Sequence, residues 1–140
     1  MIKITRSESE TELFGEKLAS ILKPGDCLAL RGELGAGKTA FTRGLCRGLK
    51  CTTGVSSPTF NIVHLYPGKT EVAHVDLYRI SDDLESIGWD DLFTSDRIVV
   101  IEWPEKAKND LPATCKDVLF SVIDLNTREI KIDFWDDTGN

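Results

Sequence analysis

The feature that most constrains this chain is the octapeptide Gly-Glu-Leu-Gly-Ala-Gly-Lys-Thr at residues 32–39. It fits the phosphate-binding pattern of a glycine, four residues and then Gly-Lys-Thr. The spacing has a physical reason, because residues without a Cβ let successive backbone N–H groups curl around phosphate oxygens. Lys38 adds a positive charge, and the hydroxyl of Thr39 can bind Mg²⁺ at the start of the next helix. The octapeptide therefore predicts a P-loop.

The residues on either side of the octapeptide predict the strand and the helix that a P-loop requires. Residues 27–30, Cys-Leu-Ala-Leu, are an apolar run entered from the turn signal Pro-Gly-Asp, which is typical of a strand covered on both faces. After the loop, Phe41, Leu45 and Leu49 recur every four positions and so share one face of a helix. This context favours a phosphate-binding loop over a glycine-rich turn that binds nothing.

Upstream of the loop, the sequence predicts a strand and a helix. Residues 2–5 alternate apolar and polar side chains, which suits a short strand. Ser9 followed by Glu12 is a capping-box signal for a helix that ends before Pro24. The apolar face predicted for this helix consists of Leu13, Phe14, Leu18, Ile21 and Leu22.

Downstream, further apolar runs predict the rest of a sheet. The predicted strands cover residues 61–66, 71–75, 98–101, 118–125 and 129–134, the last two forming a hairpin through residues 126–128. An unbroken run such as Ile-Val-Val-Ile at 98–101 indicates a strand buried on both faces of a parallel sheet. With 41% hydrophobic residues, residues 1–140 are expected to form a single P-loop NTPase-like α/β domain. We expect a mostly parallel central sheet flanked by helices, with antiparallel edge strands and the C-terminal hairpin.

Two acidic residues directly follow predicted strands. Asp76 comes after the strand at 71–75, and Glu102 comes after the run at 98–101. Ligands of parallel sheets lie beyond the C-terminal ends of the strands, so either carboxylate can complete a Mg²⁺ site. The stronger apolar run favours Glu102 as the metal-side acid, which leaves Asp76 to orient the attacking water or to hold the metal's water shell. Either residue could instead be an acid in a strand-to-loop turn with no ligand.

Several other residues have a structural interpretation, and most of them have a functional one as well. Ser-Pro-Thr at 57–59 is either a turn into the next strand or a loop whose hydroxyls respond to a terminal phosphate. Arg128, near the hairpin turn, could touch a nucleotide base, although the pattern favours a surface role. Ser81 reads as the N-cap of a short helix. Arg43 and Arg79 are the arginines best placed to act on the phosphates, and a surface role is at least as well supported for each.

Composition narrows the class of nucleotide-binding protein. Seventeen basic and 23 acidic residues give a net charge of −6, which argues against gripping a nucleic-acid backbone without a partner. Four cysteines without a C-x-x-C pair and two histidines predict neither a zinc site nor a disulfide framework and suggest a reducing cytoplasm. No stretch has the apolar length of a membrane span. The guanine-specific tetrapeptide Asn-Lys-x-Asp does not occur, so ATP is the expected nucleotide.

Four motifs together resemble the bacterial TsaE family. They are the octapeptide at 32–39, Ser-Pro-Thr-Phe at 57–60, His-Val-Asp-Leu-Tyr-Arg at 74–79 and Glu-Trp-Pro at 102–104. The resemblance implies a small ATPase, acting with the TsaB–TsaD pair, that is required for threonylcarbamoyladenosine modification at A37 of tRNAs reading codons that begin with A. It also implies that the ATP state binds the pair, that hydrolysis resets the assembly, and that tRNA is met only through the partners.

The resemblance assigns roles to residues one by one. The phosphate-holding loop would be Leu34, Gly35, Ala36, Gly37, Lys38 and Thr39. Thr39 and Glu102 would flank Mg²⁺, and Asp76 would support hydrolysis. Ser57 and Thr59 would sense the phosphate, Trp103 would lie beside the site, and Arg128 would match a hairpin position near the base.

The sequence predicts slow hydrolysis and leaves two rival functions open. We find no convincing arginine finger, a group that can be worth roughly 10³ to 10⁵ in rate, so hydrolysis by the isolated chain should be weak and stimulated by partners. One rival is a small-molecule kinase, which would phosphorylate an acceptor. The other is a nucleotide-gated binding module, in which ATP only switches partner affinity without turnover.

Overall fold

The computed structural model describes residues 1–52, 62–80 and 83–136. Within these ranges the chain forms one sheet of seven strands, three α-helices and three short 3₁₀ helices. The strands are β1 Ile2–Thr5, β2 Cys27–Arg31, β3 Val63–Tyr66, β4 Glu71–Asp76, β5 Arg97–Glu102, β6 Lys116–Val122 and β7 Arg128–Ile132. The helices are α1 Glu8–Ala19, α2 Lys38–Gly48 and α3 Trp89–Leu92, with 3₁₀ turns at Leu84–Ile87, Pro104–Lys106 and Lys108–Asp110.

The sheet has the strand order β1-β7-β6-β2-β5-β4-β3. Its four central strands, β6, β2, β5 and β4, are parallel. At one edge β3 is antiparallel to β4, and at the other edge β7 and β1 continue the sheet in antiparallel pairs. The predicted α/β fold class, with a mostly parallel centre, antiparallel edge strands and a C-terminal hairpin, is therefore confirmed.

The two strands that carry the site are buried on both faces. The first four residues of β2 and the last five of β5 are all buried, as their continuous apolar sequence predicts for central parallel strands. Because β2 leads into the P-loop and β5 ends at Glu102, their parallel pairing brings both C-terminal ends to the same edge of the sheet. That edge is where a doubly covered sheet opens to ligand.

The C-terminal hairpin is more deeply built into the sheet than its sequence suggests. β6 pairs directly with β2, the P-loop strand, and β7 links β6 to the N-terminal strand. Its strands are also shorter than predicted, because residues 123–127 form the turn. There the Asp124 carboxylate accepts hydrogen bonds from the backbone amides of Asn126 and Thr127 at 3.0 and 2.9 Å, which ends β6 at Val122. At the other edge, β3 begins at Val63; residue 61 lies outside the described residues.

The predicted capping box of α1 is wrong by two residues. The N-cap is Ser7, whose Oγ accepts the Glu10 amide at 3.1 Å, while the Glu10 carboxylate accepts the Arg6 amide at 2.9 Å. Both Ser7-x-x-Glu10 and Ser9-x-x-Glu12 fit the sequence pattern. β1 ends at Thr5, and the helix starts as soon as the chain has turned, so the earlier serine takes the cap.

The predicted apolar face of α1 is only partly buried. Phe14 and Leu18 lie in the core with Phe41 and Leu45 of α2, whereas Leu13 is 55% and Ile21 36% exposed. The helix packs on α2 through the stripe of Thr11, Phe14, Gly15 and Leu18. Leu13 is rotated about 100° from this stripe, and Ile21 lies beyond the end of the helix. The two helices together cover one face of the sheet.

Helices α1 and α2 approach so closely that their contact admits only glycine. A Cβ on Gly44 would lie 1.8 Å from the Glu12 carbonyl oxygen. We predict that Gly44→Ala lowers the free energy of unfolding by about 3 kcal/mol, because the backbones must separate and the alanine's better helix propensity, about 1 kcal/mol, does not offset this. Chemical denaturation measures the change.

Gly88→Ala is the matched control for this prediction. Gly88 has φ +73°, but a Cβ there meets nothing within 4 Å. Its substitution should cost only the backbone strain of about 1 kcal/mol. Equal destabilisation by the two variants would contradict close helix packing as the cause.

The opposite face of the sheet is covered by the short helices between β4 and β6. Trp89, Leu92 and Ala107 pack there against Val99 and Ile101 of β5. The indole N–H of Trp89 donates to the Asp110 carbonyl at 3.0 Å, tying two of these segments together. In the described ranges, no helix combines the length and the hydropathy required to cross a membrane. Ser81, predicted as an N-cap, lies outside the described residues; Asp83 caps the 3₁₀ turn that follows.

Candidate functional site

The P-loop connects β2 to α2 through a backbone that two of its glycines make possible. Gly37 has φ +103° and is the N-cap of α2, a position with no side-chain cap. Gly32 has φ +153°, and a Cβ there would lie 2.8 Å from the Phe120 carbonyl oxygen of β6. The loop can therefore present backbone N–H groups at the start of α2, where the helix dipole favours an anion.

A cavity of about 340 Å³ lies over the P-loop. Its walls come from four parts of the chain: the start of α1, the P-loop with the first residues of α2, the ends of β4 and β5, and the hairpin turn. The lining residues are Ser7, Glu8, Thr11, Leu34, Gly35, Gly37, Lys38, Thr39, Ala40, Arg43, Asp76, Glu102, Trp103, Leu125, Asn126 and Arg128. Such a volume is within the range of small-molecule sites.

Lys38 is a buried cation at the floor of this cavity. Only 4% of the residue is exposed. Its Nζ donates to the Gly32 carbonyl at 2.5 Å and lies 4.1 Å from the centre of the Trp103 ring. Burial lowers the pKa of the Lys38 ammonium, against the opposing field of three nearby carboxylates. A desolvated charge of this kind interacts strongly with an anion that enters the cavity.

Asp76 and Glu102 lie side by side at the ends of β4 and β5, where the strand register pairs them directly. Asp76 is half-buried, and its Oδ1 accepts the Tyr78 amide at 3.0 Å. Burial raises the pKa of the Asp76 carboxyl, and the hydrogen bond from Tyr78 works in the opposite direction. The two acids predicted from separate strands thus form one carboxylate pair facing Lys38 and the P-loop.

Glu102 differs from Asp76 in its burial and its partner. It is 4% exposed, and its Oε2 accepts a hydrogen bond from Nε2 of His74 at 2.6 Å. His74 was not among the residues predicted to form the site. The sequence pattern that could have identified it is the His-x-Asp spacing at 74 and 76, which places both side chains on one face of a strand.

Trp103 turns the chain away from the sheet directly after Glu102. It adopts φ +59°, an uncommon left-handed conformation for a bulky residue. Its ring lies between the Lys38 ammonium and the ring of Tyr78, whose centre is 4.9 Å away. This places an aromatic wall beside the cavity. The Pro104 that follows is buried and starts a 3₁₀ turn.

Arg128 links the hairpin to the P-loop. Its Nε donates to the Gly35 carbonyl at 3.1 Å. One terminal nitrogen donates to three carbonyls of the hairpin turn, those of Asp124, Leu125 and Thr127, at 2.8 to 3.3 Å. The guanidinium is therefore held against the P-loop at the edge of the cavity, a contact that the sequence pattern did not indicate.

Most of the predicted site residues meet at this one cavity. Those that line it are Leu34, Gly35, Gly37, Lys38, Thr39, Asp76, Glu102, Trp103 and Arg128. Ala36 instead has its side chain buried in the core. Ser57 and Thr59 lie outside the described residues. Arg79 is exposed and absent from the cavity wall, whereas Arg43 lines it.

Several lining residues were not predicted. Ser7, Glu8 and Thr11 come from the start of α1, and Leu125 and Asn126 come from the hairpin turn. No local signal identifies them, because they reach the cavity only through the packing of α1 on α2 and of β6 beside β2.

The sheet, the P-loop and the acidic pair beyond the strand ends define a P-loop protein of the nucleotide-binding α/β class. The family model described as "Threonylcarbamoyl adenosine biosynthesis protein TsaE" matches residues 5–131. The chain therefore belongs to the TsaE family, which confirms the resemblance inferred from its motifs.

Individual relatives agree with the family match. The chain is 37% identical over 127 residues to the tRNA threonylcarbamoyladenosine biosynthesis protein TsaE of Bacillus subtilis, covering 90% of this chain and 80% of that one. It is 39% identical over 136 residues to the protein of the same name from Haemophilus influenzae, covering 91% and 78%. The crystal structure of Bacillus subtilis YdiB superposes with a TM-score of 0.77 at 31% identity, over 93% of this chain and 82% of that one.

Proposed function

We propose that this chain is an ATP hydrolase of bacterial tRNA threonylcarbamoyladenosine biosynthesis. The observation that carries the proposal is the cavity in which the buried ammonium of Lys38 faces the paired carboxylates of Asp76 and Glu102. Phosphoryl transfer requires a cation that binds the phosphates and carboxylates that bind a metal ion or orient a water molecule. Two relatives carry the name tRNA threonylcarbamoyladenosine biosynthesis protein TsaE, which supports the pathway named in the proposal.

The residues at the cavity fit a Mg²⁺–ATP complex. Residues 34–39 would hold the phosphates, with Lys38 as the charge on the terminal ones. Thr39 and Glu102 would bind Mg²⁺, which when bound neutralises developing negative charge on the phosphates. In the described part of the chain no group of three or more His, Cys, Asp or Glu could hold a metal alone. Mg²⁺ commonly uses one or two carboxylates together with the substrate's phosphates.

The remaining roles belong to groups around this centre. Asp76, whose Oδ1 is held by the Tyr78 amide, is placed to orient the attacking water with its other oxygen. Trp103 forms the aromatic wall beside the phosphates, and Arg128 holds Gly35 in place. Ser57 and Thr59 are proposed as the phosphate-sensing hydroxyls on the strength of the family motif.

Hydrolysis by the isolated chain should be slow, because both arginines of the cavity are engaged elsewhere. Arg43 donates to Glu8 and Glu12 at 2.9 and 3.4 Å, and Arg128 donates to backbone carbonyls. Among the described residues of the cavity wall, no arginine is therefore left to reach a transferring phosphoryl group. We propose that the TsaB–TsaD pair binds the ATP state in the cytoplasm, stimulates hydrolysis and is reset by it. The pair would hold the tRNA, which suits the net charge of −6.

The test is steady-state ATP hydrolysis by this chain, alone and with TsaB and TsaD of the same organism. We expect weak activity alone and stimulation of at least about 100-fold by the pair, the low end of what an added catalytic group supplies. Fast hydrolysis by the purified chain would contradict the partner-dependent mechanism. Phosphate transfer to a small acceptor would identify a kinase. Partner binding without any phosphate release would identify a nucleotide-gated module.

A further inference from the structure

His74 occupies a specific position beneath the carboxylate pair. On β4 the side chains of Ala73 and Val75 point to the face covered by the short helices, so His74 and Asp76 point to the α1 and α2 face. The register pairs Asp76 with Glu102 and His74 with Val100. His74 therefore lies one layer further into the core than the two acids, on the same face, and is 0% exposed.

The contacts of the imidazole select one of the two acids. Nε2 lies 2.6 Å from Oε2 of Glu102, so an Nε2–H donates to that carboxylate. Asp76, two residues along the same strand, receives its hydrogen bond from the Tyr78 amide instead. The imidazole ring also packs on Tyr66 of β3, with ring centres 6.0 Å apart, which restrains its orientation.

The other ring nitrogen indicates the tautomer. Nδ1 is buried and has no hydrogen-bond partner among the described residues. A buried N–H without an acceptor is unfavourable, so the arrangement favours a bare lone pair at Nδ1 and the proton on Nε2. In that tautomer the ring's single donor is committed to Glu102.

A carboxylate as buried as that of Glu102 needs such a donor to stay in one place. A competing attraction comes from the ammonium of Lys38, which interacts electrostatically with the Glu102 carboxylate. If the Glu102 carboxylate rotated towards Lys38, it would neutralise the positive charge that binds phosphate. It would also no longer be oriented towards the metal site. The hydrogen bond from His74 prevents this rotation, in the way that outer-shell hydrogen bonds fix the orientation of metal-binding carboxylates.

We propose that His74 is a positioning residue for Glu102. It holds Oε2 and leaves Oε1 directed to the cavity, where the metal-side acid is required. This inference rests on the proposed function of Glu102 in ATP hydrolysis. His74 itself touches neither nucleotide nor metal.

The test compares His74→Gln with His74→Leu in the chain assayed together with TsaB and TsaD. The glutamine amide can place an N–H near the position of Nε2, whereas leucine fills similar space without a donor. We expect His74→Leu to lower kcat about tenfold or more, with KM for ATP within about twofold, and to raise the Mg²⁺ concentration needed for half-maximal rate. His74→Gln should recover kcat to within about threefold of the wild type.

A second readout does not depend on activity. In ¹⁵N NMR of the nucleotide-free protein, Nδ1 of His74 should resonate as an unprotonated nitrogen and Nε2 as a protonated one. An unprotonated Nε2 would overturn the proposal, also in the case that His74→Leu fails to fold. Equal loss of kcat in the folded Gln and Leu variants would show a merely structural role and overturn it too.

The failure of this inference is distinguishable from failure of the proposed function. If Glu102→Gln abolishes hydrolysis while folded His74→Leu keeps the wild-type kcat and Mg²⁺ dependence, only the positioning role is wrong. If Glu102→Gln hydrolyses ATP at the wild-type rate, the role of Glu102 is wrong and the positioning proposal fails with it.

Discussion

Lys38→Ala should weaken ATP binding by at least about 100-fold while leaving the protein folded. The ammonium is 4% exposed, and burial lowers its pKa, so its charge is poorly solvated before any ligand arrives. Charge-assisted hydrogen bonds to phosphate contribute about 1.5 to 3 kcal/mol each, and about 2.8 kcal/mol already corresponds to 100-fold in the dissociation constant. Isothermal titration calorimetry with ATP and Mg²⁺ measures the loss.

The fold should survive this substitution because the lysine is not held by the core in the way that Gly44 is. Among the described residues its Nζ donates to one carbonyl, that of Gly32, and the same nitrogen lies over the Trp103 ring. We expect a change in the free energy of unfolding of about 1 kcal/mol or less, by chemical denaturation. Lys38→Met separates the effect of the charge from that of the stem, since it keeps a long unbranched side chain without the ammonium, and it should bind ATP as poorly as the alanine variant.

Lys106→Ala is the matched control, because Lys106 is an exposed lysine in the 3₁₀ turn just after Trp103. It should bind ATP with wild-type affinity. If Lys38→Ala and Lys106→Ala had the same affinity, the octapeptide at 32–39 would not be a phosphate-binding loop, whatever its resemblance to one.

The parts of the site that could be predicted are those whose chemistry is local in sequence. The P-loop, its strand and its helix lie in one segment of about two dozen residues, and the short-range pattern of glycine, charge and apolar residues specifies them. Asp76 and Glu102 were predictable for a related reason. Each directly follows an apolar run, and the C-terminal ends of parallel strands meet at one edge of a sheet.

The parts that could not be predicted depend on pairings between distant segments. Arg128 reaches the P-loop only because β6 lies beside β2, a register set by residues about 90 positions apart. Ser7 and Thr11 reach the cavity only through the packing of α1 on α2. The choice of Ser7 over Ser9 as N-cap was undecided by sequence, because both serines have a glutamate three residues later and only the end of β1 distinguishes them.

His74 lies between these two cases. Its position on the same strand face as Asp76 follows from a two-residue period, which the sequence contains. Its partner does not follow, because only the register of β4 against β5 shows that the imidazole reaches Glu102 and not Asp76. A buried histidine in an apolar strand is therefore read correctly only after the neighbouring strand is known.

Glu102→Gln should lower partner-stimulated ATP hydrolysis by about 100-fold or more and leave ATP affinity within about threefold of wild type. The amide has the size of the carboxylate and can still accept the hydrogen bond from His74, so the core beneath the site is preserved. It lacks the charge that the proposed metal site needs, and the loss of one preorganised electrostatic group at a reacting centre costs about 10² to 10³ in kcat. Phosphate release and calorimetry, on the same preparation with TsaB and TsaD, measure the two quantities.

Glu105→Gln is the control for this variant, since Glu105 is exposed three residues further along and has the weakest effect on Lys38 of the three carboxylates. It should hydrolyse ATP at the wild-type rate. The comparison also decides between turnover and gating. If the protein only switches its partner affinity with ATP, the Glu102→Gln variant should bind TsaB–TsaD as well as the wild type does. It should also release the pair on the wild-type timescale. A hydrolase whose turnover resets the complex would keep the pair bound in the glutamine variant, because the ATP that holds it is no longer consumed.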